Sequence, residues 1–182
     1  LRGANVTYIS TMGFGDLPLD IKRVKAESAE DILQETQKNI TAVTTQESEN
    51  MPYLFMVAAV ADFKPADPKD GKVKKSSIGT HWNIELEQTI DILATIDKSK
   101  IKTVGFKAEM DSQEGLNNAI ALLEKKGVDA VCYNLLNDAK SFGGSDNDIT
   151  FITKEKQTPL GRNDKLTLAT KIIDQAKGLI YG

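Results

Sequence analysis

The chain has 182 residues, of which 40% are hydrophobic and 27% are charged. This length can bury one sizeable core and leaves little room for a second, so we expect a single domain over residues 1–182. A net charge of −3 argues against a general nucleic-acid or membrane-surface binder, which needs many basic contacts. The sequence shows no apolar run of the roughly 20 residues that span a membrane and no signal-peptide pattern. We therefore expect a soluble, cytoplasmic protein.

The first part of the chain predicts strands that alternate with a helix. The opening "LRG" resembles the last turn of a helix stopped by glycine, so we expect a preceding helix that this sequence lacks. The segments "NVTYI" and "DIKRVKAE" predict two strands. The segment "SAEDILQETQKNITAV" predicts a helix, because Ser28 and Asp31 have capping-box spacing. The apolar stripe of this helix is Ile32, Thr36, Ile40 and Val43.

The rest of the chain continues the alternation. The apolar run "YLFMVAAV", residues 53–60, predicts a central strand buried on both faces. Three later segments, "IKTVGF", "VDAVCYNLL" and "DITFIT", predict strands, and "EGLNNAIALLEKKG" and "NDKLTLATKIIDQAKGLI" predict helices, the first ending at Gly127. The pattern predicts an α/β fold with a Rossmann-like, doubly wound, mostly parallel sheet. Residues 62–88 are the exception and predict an antiparallel flap that leaves the sheet.

A ligand site is expected where the run "VAAVAD" ends. In open α/β sheets, ligands bind beyond the carboxyl ends of strands, and Asp62 stands at such an end. Ala58 and Ala59 would let a ligand approach the backbone, although alanines in a buried strand are also ordinary packing. Asp62 could hydrogen-bond a ribose or help to coordinate a divalent cation, or it could be a helix cap or turn residue.

The flap is rich in lysine, at positions 64, 69, 72, 74 and 75. Such a run is usually a solvated loop. Because alternate residues of an extended segment share a face, Lys72 and Lys74 would point the same way. Two ammonium groups in that arrangement suit a triphosphate or a leaving pyrophosphate.

Other residues and motifs are assigned no chemistry. The chain has no Walker A pattern, and "GFG" at residues 13–15 does not continue as a GxGxxG loop. His81 is the only histidine, and we assign it no role. The only cysteine, Cys132, lies in an apolar run, so we expect it in the core rather than as a nucleophile.

Segments with a family resemblance occur along nearly the whole chain: "AAVADFKP", "KVKK", "TIDILA", "VGFKAE", "EKKGVDAVCYN" and "FGGSDNDITFI". In order and spacing they resemble phosphopantothenoylcysteine synthetase of the bacterial kind, usually the C-terminal half of a bifunctional coenzyme A biosynthesis protein. The resemblance implies a CTP-dependent ligase. Such an enzyme activates 4'-phosphopantothenate as an acyl-cytidylate, with release of pyrophosphate, and transfers the acyl group to the amine of L-cysteine, with release of CMP.

The resemblance also implies roles for individual residues. Lys72, the first lysine of a KxKK motif, is the expected catalytic residue and engages the phosphates. Magnesium accompanies the triphosphate, and Asp62 is its expected ligand. Leu122 departs from the family, which has a lysine there. The expected nucleotide-binding residues are Ala58, Ala59, Asp62, Lys72, Thr89, Ile90, Asp91, Ile92, Phe106 and Lys126, of which Thr89 and Ile90 replace the family's Asn and Pro.

Partners follow from the same resemblance. The family has a first strand and a glycine-rich turn that this sequence lacks, so we expect an N-terminally truncated domain that binds nucleotide more robustly than it completes ligation. A homodimer is implied, because the family's flap reaches toward a second protomer. A flavin-dependent decarboxylase domain is an expected upstream partner.

Two other functions stay open from the residues. The first is a non-catalytic nucleotide-binding or regulatory module of the same fold, which the missing segment and Leu122 favour. The second is an NAD(P)-dependent oxidoreductase, which the alternation of strands and helices alone suggests.

Overall fold

The structure, a computed structural model, describes residues 3–18, 20–45, 51–69, 71–74, 80–136 and 144–180. Some predicted features lie outside these residues: the first two residues of "LRG", the flap positions 70 and 75–79, and residues 137–143 around "FGG". In chain order the elements are β1 (Thr7–Ser10), β2 (Lys22–Lys25), α1 (Ala29–Thr44), β3 (Tyr53–Met56), β4 (Phe63–Pro65), β5 (Leu86–Gln88), α2 (Ile92–Thr95), β6 (Lys102–Glu109), α3 (Ser112–Lys126), β7 (Ala130–Leu135), β8 (Asp146–Ile152), β9 (Gln157–Asp164) and α4 (Lys165–Lys177).

The predicted α/β fold is confirmed. A five-stranded sheet has the order β3-β6-β7-β8-β9, in which β3, β6 and β7 are parallel. The last two strands are antiparallel. Strands β1 and β2 form a parallel pair of their own, and β4 and β5 form the antiparallel ribbon that was predicted for the flap.

One strand of the sheet was not predicted. Strand β9 contains Pro159 and Gly161, which obscure its alternation in the sequence. Gly161 has a φ of +71°, and the register shifts at its position between Ile149 and Thr150 of β8. A bulge of this kind needs a backbone conformation that glycine adopts without strain.

The predicted central strand over residues 53–60 is shorter and more peripheral than expected. It ends at Met56, and among the described strands β3 is the edge of the five-stranded sheet. Its side chains alternate between two apolar clusters but stay half-buried, and Val57 after it is 64% exposed. An apolar run alone does not distinguish a central strand from an edge strand followed by an exposed turn, so this part of the prediction was wrong.

The helix boundaries follow the predicted signals. Ser28 and Asp31 form the expected capping box at the start of α1, and Gly127 ends α3 with a φ of +57°. The stripe on α1 holds for Ile32 and Thr36, which are buried, but Val43 is exposed. None of the helices in the described segments is long and apolar enough to cross a membrane.

The central strand β6 separates two apolar clusters. Val104 and Phe106 face α4 together with β8 and β9, whereas Gly105 faces Leu122 of α3. At the start of β6, the Asp129 carboxylate accepts hydrogen bonds from the Thr103 backbone N–H and hydroxyl at 2.8 and 3.0 Å. These bonds satisfy a fully buried threonine and join β6 to the start of β7.

Cys132 lies in the core, as predicted. Burial raises the pKa of its thiol to about 12, so the thiolate that a nucleophile needs is absent at neutral pH. We expect Cys132→Ser to lower the free energy of unfolding by about 1–3 kcal/mol, because it buries a hydroxyl among apolar side chains. Denaturant titration measures this change, with Cys132→Ala as the control. A variant with native stability but reduced turnover would contradict it.

Candidate functional site

The carboxyl end of β3 opens into an exposed segment. Ala58, Ala59 and Asp62 are all exposed, and the segment has no regular structure before β4. The Asp62 carbonyl accepts a hydrogen bond from the Thr89 backbone N–H at 2.8 Å. The flap therefore begins at Asp62 and ends beside it at Thr89, which brings two of the predicted nucleotide-binding segments together.

The two ends of the flap, residues 62–88, pair with each other as the antiparallel ribbon of β4 and β5. Phe63 pairs with Gln88, and Pro65 pairs with Leu86. Beyond the ribbon, Lys72 and Lys74 are exposed while Val73 is half-buried, which matches the predicted alternation although residues 71–74 are not a strand. Lys75 lies outside the described residues. The expected phosphate-binding role of Lys72 stays a prediction.

Thr89, Ile90, Asp91 and Ile92, which were predicted to bind nucleotide, are called here the predicted nucleotide loop. The Asp91 carboxylate caps α2 by accepting from the Ala94 N–H at 3.0 Å, and its other oxygen accepts from the Lys126 ammonium. Ile92 is buried in an apolar cluster with Ile32 and Leu33 of α1. The Thr89 hydroxyl is buried and has no hydrogen-bond partner among the described residues. A ligand could supply that partner.

Lys126 and Leu122, one turn apart on α3, have different environments. Lys126 forms the ion pair with Asp91, so these two predicted residues are brought together. Leu122 packs on the backbone of Gly105. A Cβ atom added to Gly105 would lie 3.1 Å from Leu122 Cδ2 and 3.6 Å from Leu93 Cδ1. The position that holds a lysine in the resembled family is thus an apolar contact here.

Phe106 lies apart from this ion pair. Adjacent residues of a strand face opposite sides of the sheet, and Gly105 faces α3. Phe106 therefore packs on the α4 side, half-buried in the cluster that contains Cys132. Since Met56 pairs with Gly105, Phe106 lies one residue beyond the end of β3, level with the exposed segment that follows it. Its predicted contact with a base stays a prediction.

A magnesium ion would find only part of its ligands in the protein. The described residues contain no group of three or more His, Cys, Asp or Glu side chains that could hold a metal. Magnesium is usually bound by one or two carboxylates together with substrate phosphates. The exposed carboxylate of Asp62 fits that mode, in which the cation arrives with the nucleotide.

The sequence did not single out Lys64. The structure places its ammonium 2.5 Å from Glu30 Oε1 of α1 and 3.4 Å from Glu87 Oε1 of β5. Hydrogen bonding from Lys64 holds the pKa of the Glu30 carboxyl below its usual range. Phe63 and Pro65, on either side of Lys64 in β4, are exposed, so the alternation of the strand turns the Lys64 side chain toward the protein.

Comparisons with known proteins agree with the predicted resemblance. The DNA/pantothenate metabolism flavoprotein C-terminal domain family matches residues 1–179. The chain is 31% identical over 182 residues to the Coenzyme A biosynthesis bifunctional protein CoaBC of Vibrio vulnificus strain CMCP6, and the match covers 98% of this chain and 43% of that protein. The chain thus spans less than half the length of this curated relative.

Solved structures share the fold. The crystal structure of the C-terminal domain of a CoaBC protein is 25% identical, with a TM-score of 0.73 over 98% of this chain and 76% of that chain. A Cab2 mutant in complex with phosphopantothenate-cysteine is 17% identical, with a TM-score of 0.62 over 89% of this chain and 55% of that chain. The second likeness concerns the fold alone.

The packing of Leu122 generates a test. We expect Leu122→Lys to lower the free energy of unfolding by about 1–2 kcal/mol, because the apolar contact with Gly105 and Leu93 is lost while the lysine stem can still reach solvent. The volume-conserving control Leu122→Met should cost less. Denaturant titration compares the three proteins. Native stability in the lysine variant would show that Leu122 packing contributes little.

Proposed function

Because the chain belongs to the DNA/pantothenate metabolism flavoprotein C-terminal domain family, we propose that it joins L-cysteine to 4'-phosphopantothenate in coenzyme A biosynthesis, with CTP as the activating nucleotide. The main structural support is the closure of the flap. The bond from Thr89 to Asp62 and the ion pair of Asp91 with Lys126 bring four of the predicted nucleotide-binding residues to the base of an exposed lysine-bearing segment.

The proposed reaction has two displacements. The carboxylate of 4'-phosphopantothenate attacks the α-phosphorus of CTP, and the bond to the leaving pyrophosphate breaks. The amine of cysteine then attacks the acyl carbon of the acyl-cytidylate, loses a proton and expels CMP. Neither step needs a protein nucleophile, which agrees with the buried, protonated thiol of Cys132. The protein's task is positioning and neutralisation of charge.

We assign separate parts of this positioning and charge neutralisation to individual residues. Lys72 places an ammonium group on the phosphates and stabilises the charge that develops on pyrophosphate. The short side chains of Ala58 and Ala59 let the nucleotide approach the exposed backbone. Asp62 would hold magnesium together with the phosphates, and the cation would supply further neutralisation of charge. The Thr89 hydroxyl offers the nucleotide an unused hydrogen-bonding group.

The proposal includes two protein partners, a second copy of the chain and a decarboxylase domain. Large apolar side chains on and beside the ribbon are exposed, among them Phe63 at 58% and Leu86 at 55%. Exposed apolar surface of this kind is typical of protein–protein contacts, which supports the homodimer. The relative CoaBC is described as bifunctional and is longer than this chain, which supports an accompanying flavin-dependent decarboxylase domain.

A non-catalytic nucleotide-binding module is the second candidate. The observation that favours it is the apolar packing of Leu122 where the resembled family has a cation. Pyrophosphate release by the complete protein, supplied with CTP, 4'-phosphopantothenate and cysteine, distinguishes the two. The oxidoreductase alternative is suggested by the alternation of strands and helices alone, and the family match gives it no support.

Lys72 provides the test of the reaction. We expect Lys72→Gln to lower turnover at least about 100-fold, because it removes charge stabilisation in the transition state. Pyrophosphate release by the complete protein measures turnover, and calorimetric titration with CTP or ATP in the presence of magnesium measures binding. We expect CTP binding to be lost in the variant.

A matched control is available on the same segment. Lys69 is an exposed flap lysine that already pairs with Asp67, so Lys69→Gln should keep turnover within about twofold of the wild type. Equal losses in the two variants would mean that flap charge in general matters rather than Lys72. Unchanged turnover in Lys72→Gln would refute the phosphate role.

A further inference from the structure

Lys64 connects three elements at the root of the flap. It lies in β4, opposite Glu87 in β5, and its ammonium contacts both Glu87 and Glu30 in the first turn of α1. Its side chain is 39% exposed, whereas its neighbour Phe63 points to solvent. The alternation of the strand therefore directs one charged side chain of β4 toward the body of the protein.

The ribbon has few other attachments. Among the described elements, β4 and β5 pack closely against each other and not against a third element. A two-stranded ribbon is only marginally stable by itself. Where the ribbon meets the body, the chain is joined by the Thr89 to Asp62 bond and by the Lys64 to Glu30 ion pair. The backbone bond closes the base of the flap, and the ion pair connects β4 to the first turn of α1.

The tilt of the ribbon governs where the rest of the flap can reach. Lys72 follows β4 closely in the sequence, so a rotation of β4 would displace Lys72 relative to Asp62 and the predicted nucleotide loop. We infer that Lys64 is a positioning residue, which holds the flap against α1 so that Lys72 is aligned with the phosphates of the nucleotide. This inference rests on the proposed function.

The charges of the pair support this role. The ammonium of Lys64 lies 2.5 Å from a carboxylate oxygen of Glu30 and 3.4 Å from one of Glu87, so both contacts join opposite charges. Exposed ion pairs contribute little to global stability and are weakened by salt. Removing the ion pair of Lys64 with Glu30 should loosen the attachment of the flap and leave the fold intact. The wild type at high ionic strength should show a similar loosening of the flap.

The first measurement is hydrogen exchange, which does not depend on activity. Lys64→Met should speed the exchange of the ribbon amides Ala66 and Thr89 severalfold, whereas Lys64→Arg should leave it unchanged. The matched control is Lys25→Met, which removes an exposed lysine that pairs with Glu27 away from the flap. Unchanged exchange in Lys64→Met would overturn the anchoring role, whether or not the protein is active.

The second measurement is kinetic, on the complete protein with CTP, 4'-phosphopantothenate and cysteine. Lys64→Met should lower kcat about tenfold with little change in the KM for CTP, Lys64→Arg should restore it, and Lys25→Met should have no effect. In the Lys72→Gln background, Lys64→Met should cause no further loss, because residues that act as a unit are not additive. Additive losses, or a native kcat in Lys64→Met, would overturn the positioning role.

The two experiments separate this inference from the proposed function. If the wild-type protein releases no pyrophosphate, the proposed function and the catalytic alignment by Lys64 both fail, while faster exchange in Lys64→Met would still establish the anchor. If the wild type is active and Lys64→Met matches it in exchange and in kcat, the proposed function stands and the role of Lys64 is refuted.

Discussion

The candidate site depends on a backbone hydrogen bond that closes the flap. The Thr89 N–H donates to the Asp62 carbonyl, so the two ends of the flap lie side by side. Asp62 at the end of the exposed segment and the predicted nucleotide loop thereby become neighbours. Two segments that are separated in sequence can act on one ligand only because this bond brings them together, and the antiparallel ribbon of β4 and β5 extends from it.

The lysines near this site differ in their surroundings. Lys126 forms an ion pair with Asp91, and Lys64 forms one with Glu30 of α1. Lys72 is exposed and forms no ion pair among the described residues. In a chain with a net charge of −3, an anion site must rest on local cations, and a lysine that is not neutralised by a carboxylate is the one suited to phosphates.

Local signals predicted the elements well. The capping box of Ser28 and Asp31 and the left-handed Gly127 specify helix ends through contacts within a few residues, so both were found where expected. The antiparallel flap was predicted from the segments "KVKKSS" and "WNIELEQT", and its paired residues are Phe63–Pro65 and Leu86–Gln88. Strand β9 was missed because Pro159 and Gly161 interrupt its alternation of apolar and polar residues. The strand over residues 53–60 was predicted too long, because apolar composition does not show that a strand lies at the edge of a sheet.

The sequence by itself determined the α/β class, the helix caps, the family resemblance and the candidate residues, because these depend on residue type and spacing along the chain. Only the tertiary structure decided how those residues meet. It paired Lys126 with Asp91, placed Phe106 on the opposite face of the sheet, and packed the half-buried Leu122 against Gly105. It also gave Lys64 its partner in α1. These contacts join segments that are far apart in the chain, and such contacts are set by the packing of strands and helices rather than by local pattern.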